Sequence, residues 1–73
     1  MRLSNWVAMR CQDPGFWHFM GTKNEQETVV MVRSLCQVKS RAELDKDPEA
    51  AARCDEQIRH PYTYYINERS TNV

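Results

Sequence analysis

The sequence predicts an all-α fold, a compact single-domain bundle of about four to six short helices with the longest near residues 25–37. Three observations carry that expectation. Aspartate-proline pairs occur at Asp13-Pro14 and Asp47-Pro48, where a carboxylate can cap orphan amides and the ring's fixed φ suits the first helical position. Asn24 with Glu27 and Ser40 with Glu43 have the spacing of a reciprocal capping box. Finally, the β-branched run from Thr28 to Val32 is the best strand candidate. It lies inside a capped segment whose apolar period is about 3.6, and no second strand is available to pair with it.

Taken in order, Ser4 is expected to cap a first short helix running to about Cys11, with Leu3, Trp6, Val7 and Arg10 along one side. Asp13-Pro14 opens a second element over Gly15–Met20, apolar around most of its circumference through Phe16, Trp17, Phe19 and Met20. Gly21 supplies its left-handed stop. Asn24 and Glu27 start the long helix, Glu25 to about Gln37. Its inner face is Val29, Val32, Leu35 and Cys36, and acids at its start with Arg33 and Lys39 toward its end match the macrodipole.

A turn at Val38 and Lys39 leads to a short helical piece from Ser40 to Lys46, and Asp47-Pro48 launches a fifth helix to about Arg59. Ala51, Cys54 and Ile58 form its expected inner stripe, with Glu49/Arg53 and Asp55/Arg59 as exposed i,i+4 pairs. His60-Pro61 should end that helix, because the residue before a proline is pushed out of the α region. Residues 62–68 are read as a last turn or short helix and 69–73 as a frayed tail.

Composition narrows the function classes. A chain of 73 residues buries only about 60 % of its unfolded surface, which leaves little room for an enclosed substrate pocket and favours work done at a surface. Ten Lys and Arg balance ten Asp and Glu, so no global field draws the chain to phosphate backbones or anionic membranes. The N-terminal segment lacks the pattern of a secretory signal and no apolar run approaches the ~20 residues of a membrane span, so a cytoplasmic protein is expected.

Cys11, Cys36 and Cys54 are odd in number and widely spaced, which fits reduced, packed thiols better than a disulfide framework. A zinc site from those cysteines with His18 and His60 lacks the close ligand pairs that converge on one metal. No nucleophile, acid/base pair or phosphate-binding glycine loop accompanies the histidines. A non-enzyme without metal or cofactor is therefore expected.

Surplus aromatic surface supplies the candidate sites. Trp6, Phe16, Trp17 and Phe19 exceed what one stripe of a short helix can bury, unless they are simply the core of a small protein. Tyr62, Tyr64 and Tyr65 cannot all face inward, Tyr62 and Tyr65 packing on the bundle with Tyr64 solvated being the plain alternative. A protein-binding surface made from Trp17, Phe19, Tyr62, Tyr64 and Tyr65 is the leading expectation. Val30 and Met31, off the inner face of the long helix, would either form a homodimer or partner seam or widen the buried stripe. The alternative is nucleic-acid contact through Arg33, Lys39 and Arg41, joined by Lys23 or Arg53. Glu43 and Asp45 count against it, because they sit where a recognition helix would need phosphate and base contacts.

From Met9 to Tyr65 the chain resembles a group of small proteins from bacteriophages, prophages and other mobile elements. The shared pattern falls on Cys11, the aromatic run Phe16 to Met20, Val32 to Asp45 with its Ser-Arg-x-Glu-Leu-Asp stretch, Asp47 to Ala51, and Arg59 to Tyr62. The resemblance implies a bacterial host and one of two roles. One is an inhibitor that binds a host defence complex, of the anti-CRISPR kind; the other is an accessory factor in phage DNA replication or recombination. Balanced charge disfavours both a DNA mimic and autonomous DNA binding, which leaves the protein-binding inhibitor ahead.

Overall fold

The signals that open the helices act at the backbone in this computed structural model, which describes residues 1–71. The helices are α1 (Leu3–Cys11), α2 (Pro14–Met20), α3 (Glu25–Cys36), α4 (Glu43–Lys46), α5 (Pro48–Cys54) and α6 (His60–Thr71), with no strand among the described residues. The Asp13 carboxylate accepts from the Gly15 N–H at 2.9 Å, that of Asp47 from Glu49 at 3.0 Å, and the Asn24 side chain from Glu27 at 2.8 Å. Gly21 closes α2 in the left-handed region at φ 76°, and the Thr22 N–H reaches back to the Trp17 carbonyl.

Four expectations about where helices start, pair and end are corrected. Ser4 does not cap α1 but lies inside it. Its N–H and hydroxyl donate to Asp45 on α4, so the cap comes from a distant part of the chain. Ser40 does not start a helix: α4 begins at Glu43, after i→i+3 turns through residues 40–42. Half of the capping box is nevertheless made, since Glu43 accepts from the N–H groups of Ser40 and Lys39 at 2.8 and 2.6 Å. Arg53 turns away from Glu49 and donates its Nε–H to the Cys36 carbonyl at 2.8 Å, covering the C-terminal end of α3. Asp55 and Arg59 do pair, at 3.2 Å.

The fourth correction concerns His60-Pro61, which does not end a helix. A π-helical turn over Asp55–Arg59 joins α5 to α6, with the His60 N–H bonded to the carbonyl of Asp55, five residues back. Proline inside an α-helix cannot donate and its ring strikes the carbonyl four residues earlier; a wider turn just before it relieves that clash. Pro48–Thr71 therefore runs as one rod, about 36 Å long at the α-helical rise and close to the molecule's 38 Å long axis. The expected tail at 69–73 lies partly outside the described residues; Arg69–Thr71 are helical.

The core is Val7, Cys11, Phe16, Val32, Cys36, Leu44, Ala50, Cys54, Ile58 and Tyr62, with Leu3, Trp6, Phe19, Val29 and Leu35 packed around it. On the rod the buried stripe is Ala50, Cys54, Ile58 and Tyr62; Ala50 takes the place expected for Ala51. Steps of four drift by about 40° each on a regular α-helix, and the π turn offsets that drift, so that Tyr62 still points inward. Each buried Val, Ile, Leu or Phe contributes about 1.5–3 kcal/mol. The polar member of the interior is Thr28, whose hydroxyl bonds the Asn24 carbonyl at 2.8 Å and meets the Thr22 hydroxyl.

Candidate protein-binding surface

Helix α6 meets the bundle mainly on α2, and that contact sorts the tyrosines. Tyr62 is 6 % exposed and lies amid Phe16 at 5.0 Å, Phe19 at 5.1 Å and Trp6 at 6.2 Å between ring centroids, with Phe16 and Trp6 edge-on. Tyr62 is thus a core residue, which corrects its placement in the partner surface. Phe19 is half-buried and packs on both Tyr62 and Tyr65, the latter at 5.1 Å. Tyr65 is held from outside by Arg69, whose guanidinium lies 5.5 Å from the ring centroid and donates to the phenol oxygen at 3.0 Å. Trp17 is half-buried, and its indole N–H donates to the Cys11 carbonyl at 2.6 Å, which secures the end of α1.

Of the five aromatics expected in the surface, Tyr64 alone is open, at 67 % exposure. It shares α6 with Ile66, a residue the sequence reading passed over, which is 40 % exposed. The structure therefore gathers Phe19, Tyr62 and Tyr65 into one inward layer and leaves Tyr64 and Ile66 outside it.

A second apolar surface lies on α3. Val30 is 64 % exposed and Met31 38 %, and both line an open groove of about 530 Å³ with Thr22, Gln26, Glu27 and Ser34. Both residues expected in a helix seam are thus outside the core.

The basic candidates separate. Arg33 and Lys39 are exposed, and Arg33 shares a shallow groove with Glu25. Arg41 is half-buried and hydrogen-bonds the Cys11 thiol, opposing the upward push of burial on that thiol. Arg53 is committed to Cys36. A different basic group was not anticipated. Arg10 from α1 and Arg59 from the π turn each place a guanidinium carbon 5.6 Å from the centroid of Trp6. Arg10 and Trp6 stand four apart on one helix face, a visible signal, but Arg59 joins them only through the fold.

All three thiols are reduced and fully buried. Cys36 and Cys54 hydrogen-bond each other, and this contact together with burial pushes the Cys54 thiol well up. His18 and His60 are both exposed. Among the described residues, no three His, Cys, Asp or Glu side chains are grouped as metal ligands would be, and no helix is long and apolar enough to cross a membrane.

No protein-family model matches the chain, and neither a curated protein nor a solved structure shows significant similarity to it.

Proposed function

We propose that this chain is a non-enzymatic helical module, encoded by a phage or mobile element, that binds and modulates a protein of its bacterial host. An inhibitor of a host defence complex, of the anti-CRISPR kind, is the specific form of that reading. The observation that carries it is the exposure of Tyr64 on α6, a helix that packs on the bundle through Tyr62 and Tyr65 and turns the face bearing Tyr64 outward. A large aromatic on a preformed helix offers rigid contact area at little ordering cost, as protein interfaces favour. Balanced charge and small size support binding by shape and apolar contact rather than by an electrostatic field. The resemblance of the sequence to small phage proteins supports the genetic setting in this reading.

The alternative role, an accessory factor touching nucleic acid through Arg33, Lys39 and Arg41, is less favoured. Glu25 lies in the groove of Arg33, and Arg41 faces a thiol.

The test is phage plating on bacteria carrying an active CRISPR system, with and without the expressed chain. Restored plating that is lost with Tyr64→Ala, the folded variant being present at equal level, supports the inhibitor. Unchanged plating across several defence types removes it.

A further inference from the structure

The Trp6 site carries more positive charge than its own contacts account for. Arg59 has a carboxylate partner in Asp55, at 3.2 Å. Arg10 has none among the described residues, and its Nε is sealed from solvent without any hydrogen-bond acceptor. A desolvated donor on a charged group is costly to leave unmet, and such an orphan in a folded protein calls for an explanation, an absent ion among them. The indole face compensates for part of the guanidinium charge, but it supplies no acceptor in the plane of the fork. Arg59 arrives beside the same ring at the last residue of the π turn, a distortion often found at functional sites. Arg10, Arg59 and Asp55 together leave one net positive charge around Trp6.

We propose that Arg10 and Arg59, set around Trp6, form an oxyanion site that takes a phosphate group. Two forks from different elements suit a tetrahedral anion, whose oxygens lie in more than one plane; a planar carboxylate is matched by one fork alone. The terminal amino groups of Arg10 meet the phosphate first. A small pivot on the indole then brings Nε to an oxygen, so binding also changes the environment of Trp6. A free phosphate and a phosphodiester of a nucleic acid share this chemistry.

The test uses the full chain labelled with nitrogen-15, with the Arg10 and Arg59 Nε–H and the Trp6 indole N–H followed by NMR at constant ionic strength. Sodium phosphate, sodium acetate and a short single-stranded oligonucleotide are titrated in turn. Phosphate is expected to move all three resonances saturably and acetate far less. Arg10→Gln and Arg59→Gln should each weaken phosphate binding by about tenfold or more, the scale of one charge-assisted hydrogen bond. Arg10→Lys, which keeps the charge and loses the fork, should weaken it as well and guards against a folding defect in the glutamine variant. Lys46→Gln, at the exposed end of α4, should change nothing.

If the oligonucleotide saturates the same resonances at much lower concentration and is equally sensitive to the substitutions, the phosphate belongs to nucleic acid; if it does not bind, the site takes free phosphate. The proposal is overturned by a linear phosphate response, by acetate acting as strongly as phosphate, or by indifference to both arginine substitutions.

Discussion

Ser4 and Asp45, 41 residues apart, tie the first turn of α1 to α4: the Asp45 carboxylate accepts the Ser4 N–H at 3.1 Å and its hydroxyl at 2.5 Å. A carboxylate at a helix start satisfies orphan amides and meets the positive end of the dipole. These hydrogen bonds from Ser4 hold the Asp45 carboxyl below its ordinary range.

That depressed value fixes the sign of a pH effect. The stabilisation is present above the unfolded-state pKa of about 3.9 and fades as pH falls through the lower folded value. Asp45→Ala should therefore melt below the parent chain at pH 7, with the gap closing as the solution is acidified past that window. Thermal midpoints of both chains across the acid range check this. A gap independent of pH would show that the carboxylate charge is not what holds α1.

Gln37 ends α3 in the left-handed region at φ 58°, where a side chain is strained and glycine is not. The Val38 N–H reaches the Arg33 carbonyl at 3.1 Å, so the stop itself is well made and only its residue is unfavourable. Gln37→Gly should stabilise the fold by about 0.5–1 kcal/mol, the relief of strain less the added freedom of glycine when unfolded. Denaturant unfolding at equilibrium measures this, and destabilisation would contradict the assigned conformation.

What could be read from the chain, and what could not, follows the range of the interactions involved. Asp13, Asn24, Asp47 and Gly21 act on amides or dihedrals within a few residues, so their roles were legible. Ser4 with Asp45 and Arg53 with Cys36 join distant segments and left no spacing to read. The π turn escaped because proline rules describe the α-helix it interrupts, not the wider turn that admits it. In the candidate surface, three tyrosines in four residues showed that some must face out. Choosing Tyr64 over Tyr62 required the helix phase that the π turn sets.

Cys11, Cys36 and Cys54 have no exposure, and burial raises the Cys11 thiol while the hydrogen bond with Cys36 and then burial raise that of Cys54. Thiolate is the reactive form; burial denies access to all three, and ionisation opposes it at Cys11 and Cys54, whereas the hydrogen bond from Cys54 lowers the Cys36 thiol. A colorimetric disulfide reagent at neutral pH should label the native chain only as fast as it unfolds, and all three thiols together in denaturant. One thiol reacting within the mixing time would expose a local opening around that residue.

Tyr62 and Tyr64, two residues apart on α6, should divide stability from binding. Tyr62 lies edge-on to Phe16 and Trp6 in the core, and truncating a large buried aromatic leaves a cavity that neighbours only partly fill. Tyr62→Ala should cost about 3–5 kcal/mol, enough to unfold much of a chain this small. Tyr64 is 67 % exposed, so Tyr64→Ala should change stability by no more than about 0.5 kcal/mol while removing partner binding. Equilibrium unfolding and a binding assay against the captured host protein must be read on the same preparations. If Tyr64→Ala instead unfolds the chain, the residue packs in the fold and α6 does not present it outward; if it is stable and still binds, the interface lies elsewhere, with the Val30 and Met31 face next in line.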